Sequence, residues 1–217
     1  MKQELTIELL NREAKAFAES ESRHEESTIF GVTDGKAVGT YLEHKFQSYL
    51  SQKYTYEKGS SARGIDFSEL GVDMKVTSIK QPQSSCPFKN ARQKIFGLGY
   101  SLLLFVYEKT DEQQTRTARL NILHSIFITA ERTADYQTTT GILKILDNNG
   151  NKDDVIAFMH ERLLPVEEIQ ASRIADEIIA NPPNIGYLAI SNALQWRLQY
   201  RRVIDEAGKV DGISRIR

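Results

Sequence analysis

Arg63-Gly64-Ile65-Asp66-Phe67, the turn Ser68-Glu69-Leu70-Gly71, and Val72-Asp73-Met74-Lys75-Val76-Thr77 decide the reading of this chain. The turn closes an antiparallel hairpin. Partners in such a hairpin keep a constant index sum, so Phe67 faces Val72 and Asp66 faces Asp73. Side chains alternate along a strand. Ile65, Phe67, Val72, Met74 and Val76 therefore share an apolar face, and Asp66, Asp73, Lys75 and Thr77 share the opposite one. Directly opposed side chains have Cβ atoms about 4.5–5.5 Å apart, a separation at which two carboxylates repel. A divalent cation between them removes that repulsion. Lys75 shares their face, and its partner across the hairpin is Gly64, which has no side chain to obstruct a reactant.

The triplet Asp73-Met74-Lys75 carries little by itself, because Glu13-Ala14-Lys15, Asp34-Gly35-Lys36 and Glu43-His44-Lys45 have the same form. Only the copy at Asp73 follows a strand bearing a second aspartate. Ahead of the hairpin, residues 38–52 predict a helix that buries Leu42, Phe46, Tyr49 and Leu50. Glu43 sits at the edge of that stripe, one turn from Phe46, and leans toward the sheet. Residues 53–58 alternate Tyr54 and Tyr56 with charged residues and predict an edge strand. Beyond the hairpin, residues 78–88 contain Pro82 and Pro87 and predict a loop. Residues 88–96 predict a short helix with Ala91, Ile95 and Phe96 inward, stopped by Gly97 and Gly99. Residues 100–107 are almost continuously apolar, as in a strand buried on both faces and reached from the Asp73 strand by a crossover through that helix.

The flanks complete the picture. Residues 2–20 repeat apolar side chains at helical spacing, and residues 19–36 are polar and acidic, as in a loop. A polar turn at 111–117 precedes a strand at 118–129. Four helices are expected after that, at 136–147, 152–164, 167–181 and 186–206, separated by Asn-Asn-Gly-Asn, Pro165 and Pro182-Pro183. The last carries Trp196, Leu198, Val203 and Ile204 with Arg197, Arg201 and Arg202, a pattern suited to phosphates or to a dimer partner.

At 217 residues with 40% hydrophobic content the chain can build a real core. A net charge of −1 excludes coating a polyanion by bulk charge, so any such binding needs a local basic surface. Residues 74–107 supply Lys75, Lys80, Lys89, Arg92 and Lys94 with no acidic residue. The single cysteine, Cys86, excludes an intramolecular disulfide, and no histidine pair has ligand spacing, so structural zinc is excluded too. Gly31 to Lys36 is too short for a phosphate loop, and Ala37 stands where a hydroxyl is needed. The longest apolar run, around 102–107, falls far short of the about 20 residues of a membrane span, and a soluble protein of the cytoplasm is expected.

Asp66, the motif Asp73-Met74-Lys75 and Glu43 on the preceding helix resemble the PD-(D/E)xK nuclease superfamily, and the size and layout look like a type II restriction endonuclease. The resemblance covers residues 38–107, and Ile65 stands where the superfamily's name has proline. It implies an α/β fold, a central mixed β-sheet in the order α-β-β-β-α-β flanked by helices, with a helical C-terminal half. Residues 1–130 would then form the catalytic core and 131–217 a helical subdomain packed on it for DNA contact or dimerisation. The resemblance further implies Asp66, Asp73 and Lys75 as catalytic, joined by Glu43, with Mg²⁺ held by both aspartates, Glu43 and the Met74 carbonyl. Lys75 would hold or activate the attacking water. Lys80, Gln81, Gln83, Ser84, Ser85, Lys89, Arg92 and Gln93 follow the site and have side chains that reach phosphates or base edges. The expected activity is sequence-specific hydrolysis of double-stranded DNA by a homodimer, since one carboxylate cluster serves one strand. Another nuclease on this core, such as a junction resolvase or repair nuclease, and a non-catalytic DNA-binding module are the alternatives.

Overall fold

The structure is a computed structural model, and it describes residues 2–57, 59, 64–190 and 197–217. Lys58 and Arg63 of the expected strands, and Trp196 of the expected last helix, lie outside the described residues. The chain begins with β1 (Gln3–Glu4), α1 (Ile7–Glu21), β2 (Glu25–Glu26), α2 (Gly35–Lys53) and β3 (Tyr54–Thr55). Next come β4 (Val72–Ser78), β5 (Gln83–Ser85), α3 (Ala91–Phe96), β6 (Ser101–Glu112) and β7 (Thr117–Ile128). It ends with α4 (Tyr136–Asp147), α5 (Lys152–Glu161), α6 (Glu168–Ala180), β8 (Ala189–Ile190), β9 (Arg197–Gln199), α7 (Arg201–Glu206) and β10 (Ile213–Arg215). No described helix is long and apolar enough to cross a membrane.

Two compact units divide the chain: Met1–Ser84, Ser101–Ile128 and Val203–Arg217 form the first, and Ser85–Tyr100 with Thr129–Arg202 the second. The sequence was expected to divide once, at residue 130. The chain instead returns to the first unit at its C-terminal end, where β10 pairs with β7.

In the first unit a mixed sheet runs in the order β10-β7-β6-β4, with β2 also on β7. β4 lies parallel to β6, and β6 antiparallel to β7. Leu102 to Tyr107 are buried without a break, as a strand covered on both faces requires. α1 and α2 supply aromatic layers to the core. Phe46 of α2 lies 5.0 Å from Phe17, 5.2 Å from Phe105 and 6.4 Å from Phe67, ring centre to ring centre, in tilted or edge-on pairs that aromatic rings prefer. α2 starts earlier than its apolar spacing suggested, because Asp34 accepts the Lys36 N–H and caps it. That cap occupies the stretch rejected as a phosphate loop.

The second unit has its own core, in which Ala91 and Ile95 of α3 meet Ile142, Val155, Met159, Ala171, Ile174 and Ile178 of α4, α5 and α6. Those three helices fall where the sequence placed them. The fourth does not. Residues 189–190 and 197–199 are antiparallel strands, and among the described residues of this range only Arg201–Glu206 is helical. Leu198 and Tyr200 are both fully buried with Arg197 and Gln199 more accessible, the two-residue alternation of a strand.

Two further expectations are corrected. The edge strand expected at 53–58 reduces to Tyr54–Thr55, which pairs with β1 and not with the main sheet. The loop expected at 78–88 contains β5, and the Gln83 N–H is drawn back onto Thr77 Oγ1 at 2.9 Å.

Candidate active site

β4 carries two of the expected residues and fixes them through its backbone. Asp73 is in register with Leu102 and Lys75 with Leu104 along the parallel ladder with β6. Val72 and Met74 point into the aromatic core, so alternation sends Asp73 and Lys75 to the opposite face. Asp73 is only 3% exposed, and its Oδ2 lies 2.6 Å from Lys75 Nζ. Burial pushes the Asp73 carboxyl up, Lys75 pulls it back, and a hydrogen bond and like charge from Asp66 raise it again. The result is about 6.

Asp66 arrives by another route. The hairpin is present at its turn, where Phe67 and Val72 exchange both backbone hydrogen bonds, at 2.9 and 3.2 Å. The next hydrogen-bonded pair of an antiparallel ladder would join Ile65 to Met74. It does not form, and the expected first strand is a bend at Asp66. Gly64 has φ +64°, which breaks the extended run, and the Asp66 carbonyl accepts the Gly59 N–H at 3.0 Å. Gly59 must be glycine, because a Cβ there would lie 2.0 Å from the Ile65 oxygen. The Met74 N–H, left without its ladder partner, donates to Asp66 Oδ2 at 2.9 Å. The carboxylate thus stands in for a strand carbonyl.

α2 brings a third carboxyl. Glu43 is half-buried, and its carboxyl is pushed up by burial first and then by the charge of Asp66, with Lys75 and His44 pulling the other way. Asp66 and Lys75 are therefore within electrostatic reach of both Glu43 and Asp73. Sequence reasoning missed Gln47, whose Nε2 donates to Asp66 Oδ1 at 3.2 Å. The available signal was spacing, since Gln47 is one helical turn past Glu43 on the same face. Tyr56 was also missed; its hydroxyl donates to the Gln47 carbonyl at 2.9 Å, and burial and the Asp66 charge raise its pKa.

Two matching ladders hold α2 against α1. Glu13 accepts from Tyr49 and Lys53, each at 2.7 Å, and from Tyr54 at 2.8 Å. Eight residues along each helix, Glu21 accepts from Tyr41 at 3.0 Å and Lys45 at 3.1 Å. On α2 Glu43 falls within the span of the Tyr41–Lys45 clamp and Gln47 lies between the two clamps, so the helix is locked where its polar side chains are used.

The expected DNA-contacting residues have varied fates. Lys80 and Gln81 are exposed beyond β4, and Gln83, Ser84 and Ser85 form β5. Lys89 is exposed just before α3. Arg92 makes a two-pronged ion pair with Glu177, at 2.5 and 3.0 Å, and Gln93 Oε1 accepts the Lys89 N–H at 2.7 Å. Lys94, counted in the basic stretch, is buried; burial lowers its pKa and Asp135 supports its charge.

Among the described residues no group of three or more His, Cys, Asp or Glu side chains is gathered for a metal ion. What the site offers is two converging carboxylates with hard oxygen donors, one of them buried against a like charge. That donor set fits Mg²⁺, which takes one or two carboxylates and fills its remaining positions with water and phosphate.

The sequence profile of the type II restriction enzyme NspV family matches residues 4–215. The type II restriction enzyme NspV of Nostoc sp. is 66% identical over 209 residues, covering 96% of this chain and 95% of that protein. No solved structure matches. A match over almost the whole length, joined to a carboxylate-lysine cluster on a mixed sheet, places the chain in the NspV family of type II restriction enzymes.

Proposed function

We propose that this restriction enzyme, a site-specific deoxyribonuclease by family, hydrolyses double-stranded DNA with Mg²⁺ held by Asp66, Asp73 and the Met74 carbonyl. The observation that carries the reading is Asp73, buried beside Asp66 and paired with Lys75 at 2.6 Å. When bound, the cation supplies a Lewis acid at a phosphate oxygen and lowers the pKa of a water. Asp66 and Asp73 hold it with hard oxygens. Lys75 Nζ orients the attacking water and offsets negative charge on the phosphate. Glu43, kept basic enough by burial and by Asp66 to hold a proton, takes the one the water gives up. The water oxygen bonds to phosphorus, one P–O ester bond breaks, and the leaving oxygen takes a proton from solvent.

Lys80, Gln81, Gln83, Ser84, Ser85, Lys89, Arg92 and Gln93 contact the DNA in this reading, with Arg92 released from Glu177 as it engages. Each subunit cuts one strand, so a homodimer acts on a symmetric site in the cytoplasm. Digestion of phage-sized DNA with Mg²⁺ tests the proposal. Discrete fragments from the wild type and none from Asp66→Ala are expected. Preference for branched DNA would mean a resolvase, and tight binding without cutting under Mg²⁺ or Mn²⁺ would mean a non-catalytic module.

A further inference from the structure

Asp66 depends on its side-chain partners more than Asp73 does, because the described residues 64–67 form a bend and a single bridge in place of a strand. Besides the hydrogen bond it shares with Asp73, its carboxylate receives one N–H donor on each oxygen, from Met74 on Oδ2 and from the Gln47 amide on Oδ1. Two donors on two oxygens stop the carboxylate from turning about its bond to Cβ. Each oxygen keeps a second lone pair, which faces Asp73 or a cation and not another N–H donor. Both donors are neutral, which matters for a group that must attract a cation. A lysine or arginine in place of Gln47 would orient Asp66 equally well but would compete with the cation for its charge. An amide gives direction and leaves the charge intact.

Gln47 is itself fixed. It lies on α2 between the two clamps to α1, and the Tyr56 hydroxyl donates to its backbone carbonyl. We propose that Gln47 is a positioning residue of the cleavage site, its amide holding Asp66 in the orientation in which the carboxylate binds a divalent cation. The inference rests on the reading that Asp66 and Asp73 hold that cation. Partners that orient metal ligands change affinity or activity by about 10- to 100-fold when removed, and Gln47 belongs to that range.

The test is Gln47→Met, which keeps the length of the side chain and removes the donor, with Gln47→Asn, which keeps the amide but withdraws it by one methylene. Mn²⁺ affinity of the DNA-free protein is measured by electron paramagnetic resonance, alongside kcat, KM and the Mg²⁺ midpoint of cleavage. The expected result for Gln47→Met is Mn²⁺ affinity weaker by about tenfold or more, a higher Mg²⁺ midpoint, reduced kcat, and KM for DNA within about twofold. Gln47→Asn should fall between that variant and the wild type, and it decides by the same criteria if Gln47→Met fails to fold. Wild-type Mn²⁺ affinity and Mg²⁺ midpoint in a folded variant would overturn the proposal. Asp66→Asn keeps the two failures apart. If it still binds Mn²⁺ and cuts, the metal-site reading fails; if it loses both while the Gln47 variants keep both, only the role of Gln47 fails.

Discussion

Asp73 and Asp66 meet at one site but are held there by different physics. Asp73 stands in the second position of a seven-residue strand, in continuous register with β6 from Val72 to Ser78. Its place is set by the sheet, and its partner Lys75 is a cation. Asp66 stands on a bend, beside an isolated bridge, and is set by one backbone N–H and one side-chain amide. A ladder position survives the loss of any one side chain. A side-chain position does not. The two aspartates should therefore answer differently when their surroundings are changed, although cleavage needs both.

The largest effects separate them by stability and not by activity. Asp73→Asn and Asp66→Asn should each lower kcat by about 10³-fold or more, measured by single-turnover cleavage. Their melting temperatures without metal at pH 8 should move in opposite directions. Asp73 has a folded pKa raised to about 6, above its unfolded value near 3.9. Its stabilising contribution is thus full below that unfolded value and is lost as pH rises through about 6. At pH 8 the ionised, buried group opposes folding, and asparagine relieves this by up to about 3 kcal/mol, raising the melting temperature. Asp66→Asn brings an NH₂ toward one of two N–H donors and should lower stability by about 1 kcal/mol. Shifts of the same sign in both variants would erase the distinction drawn between them.

Removing the cation sharpens the contrast from the other side. Lys75→Met should reduce kcat by about 10²-fold and leave the Asp73 carboxylate buried without its counter-charge. At pH 8 the variant should be less stable by about 1–3 kcal/mol. The loss should disappear below about pH 6, where Asp73 takes up a proton. Melting curves across that range check it, and a pH-independent loss would assign Lys75 a packing role only.

The same contrast explains what was legible in the sequence. The Asp73 strand, the apolar run from Leu102 to Tyr107 and helices α4 to α6 follow rules of periodicity and breakers, and they lie where those rules put them. Asp66 and Asp73 also converge, as the turn from Ser68 to Gly71 implied. The arm that carries Asp66 was read as a strand because Ile65 and Phe67 alternate with Asp66. Alternation cannot report that a carboxylate captures the N–H of Met74 in place of a backbone carbonyl. Gln47 escaped notice because an uncharged amide has no signature apart from its step of four from Glu43. Over residues 186–206, helical spacing at Val203 and Ile204 masked the strand alternation of Leu198 and Tyr200. β10, at three residues, is too short to announce its return to the sheet.

Glu43 tests how far the helix shares in the chemistry. Its carboxyl feels Asp66 and Lys75, yet the described carboxylates do not gather as a trio around one point. Glu43→Gln, which removes the proposed proton acceptor, should therefore lower kcat by about 10²-fold, short of either aspartate, with melting temperature unchanged or slightly higher. A loss as large as that of Asp66→Asn, in the same single-turnover assay, would make Glu43 an equal partner.

The smallest effect on cleavage, and the most direct probe of the helix that positions Gln47, is expected from Glu13. Burial alone would raise its pKa, but hydrogen bonds from Lys53, Tyr49 and Tyr54 outweigh burial and hold it at about 2. A folded pKa below the unfolded one stabilises the protein above the unfolded value, near 4.3, and that stability is lost as pH falls toward 2. Glu13→Gln should lower stability at pH 7 by about 1–3 kcal/mol and flatten the acid limb between these pH values. With this clamp weakened, α2 holds Gln47 less firmly. Asp66 then loses orientation while Asp73, carried by the sheet, does not. The expected outcome is a fall of a few-fold in kcat together with a raised Mg²⁺ midpoint. A change in stability with cleavage and midpoint untouched would show that the sheet positions both aspartates after all.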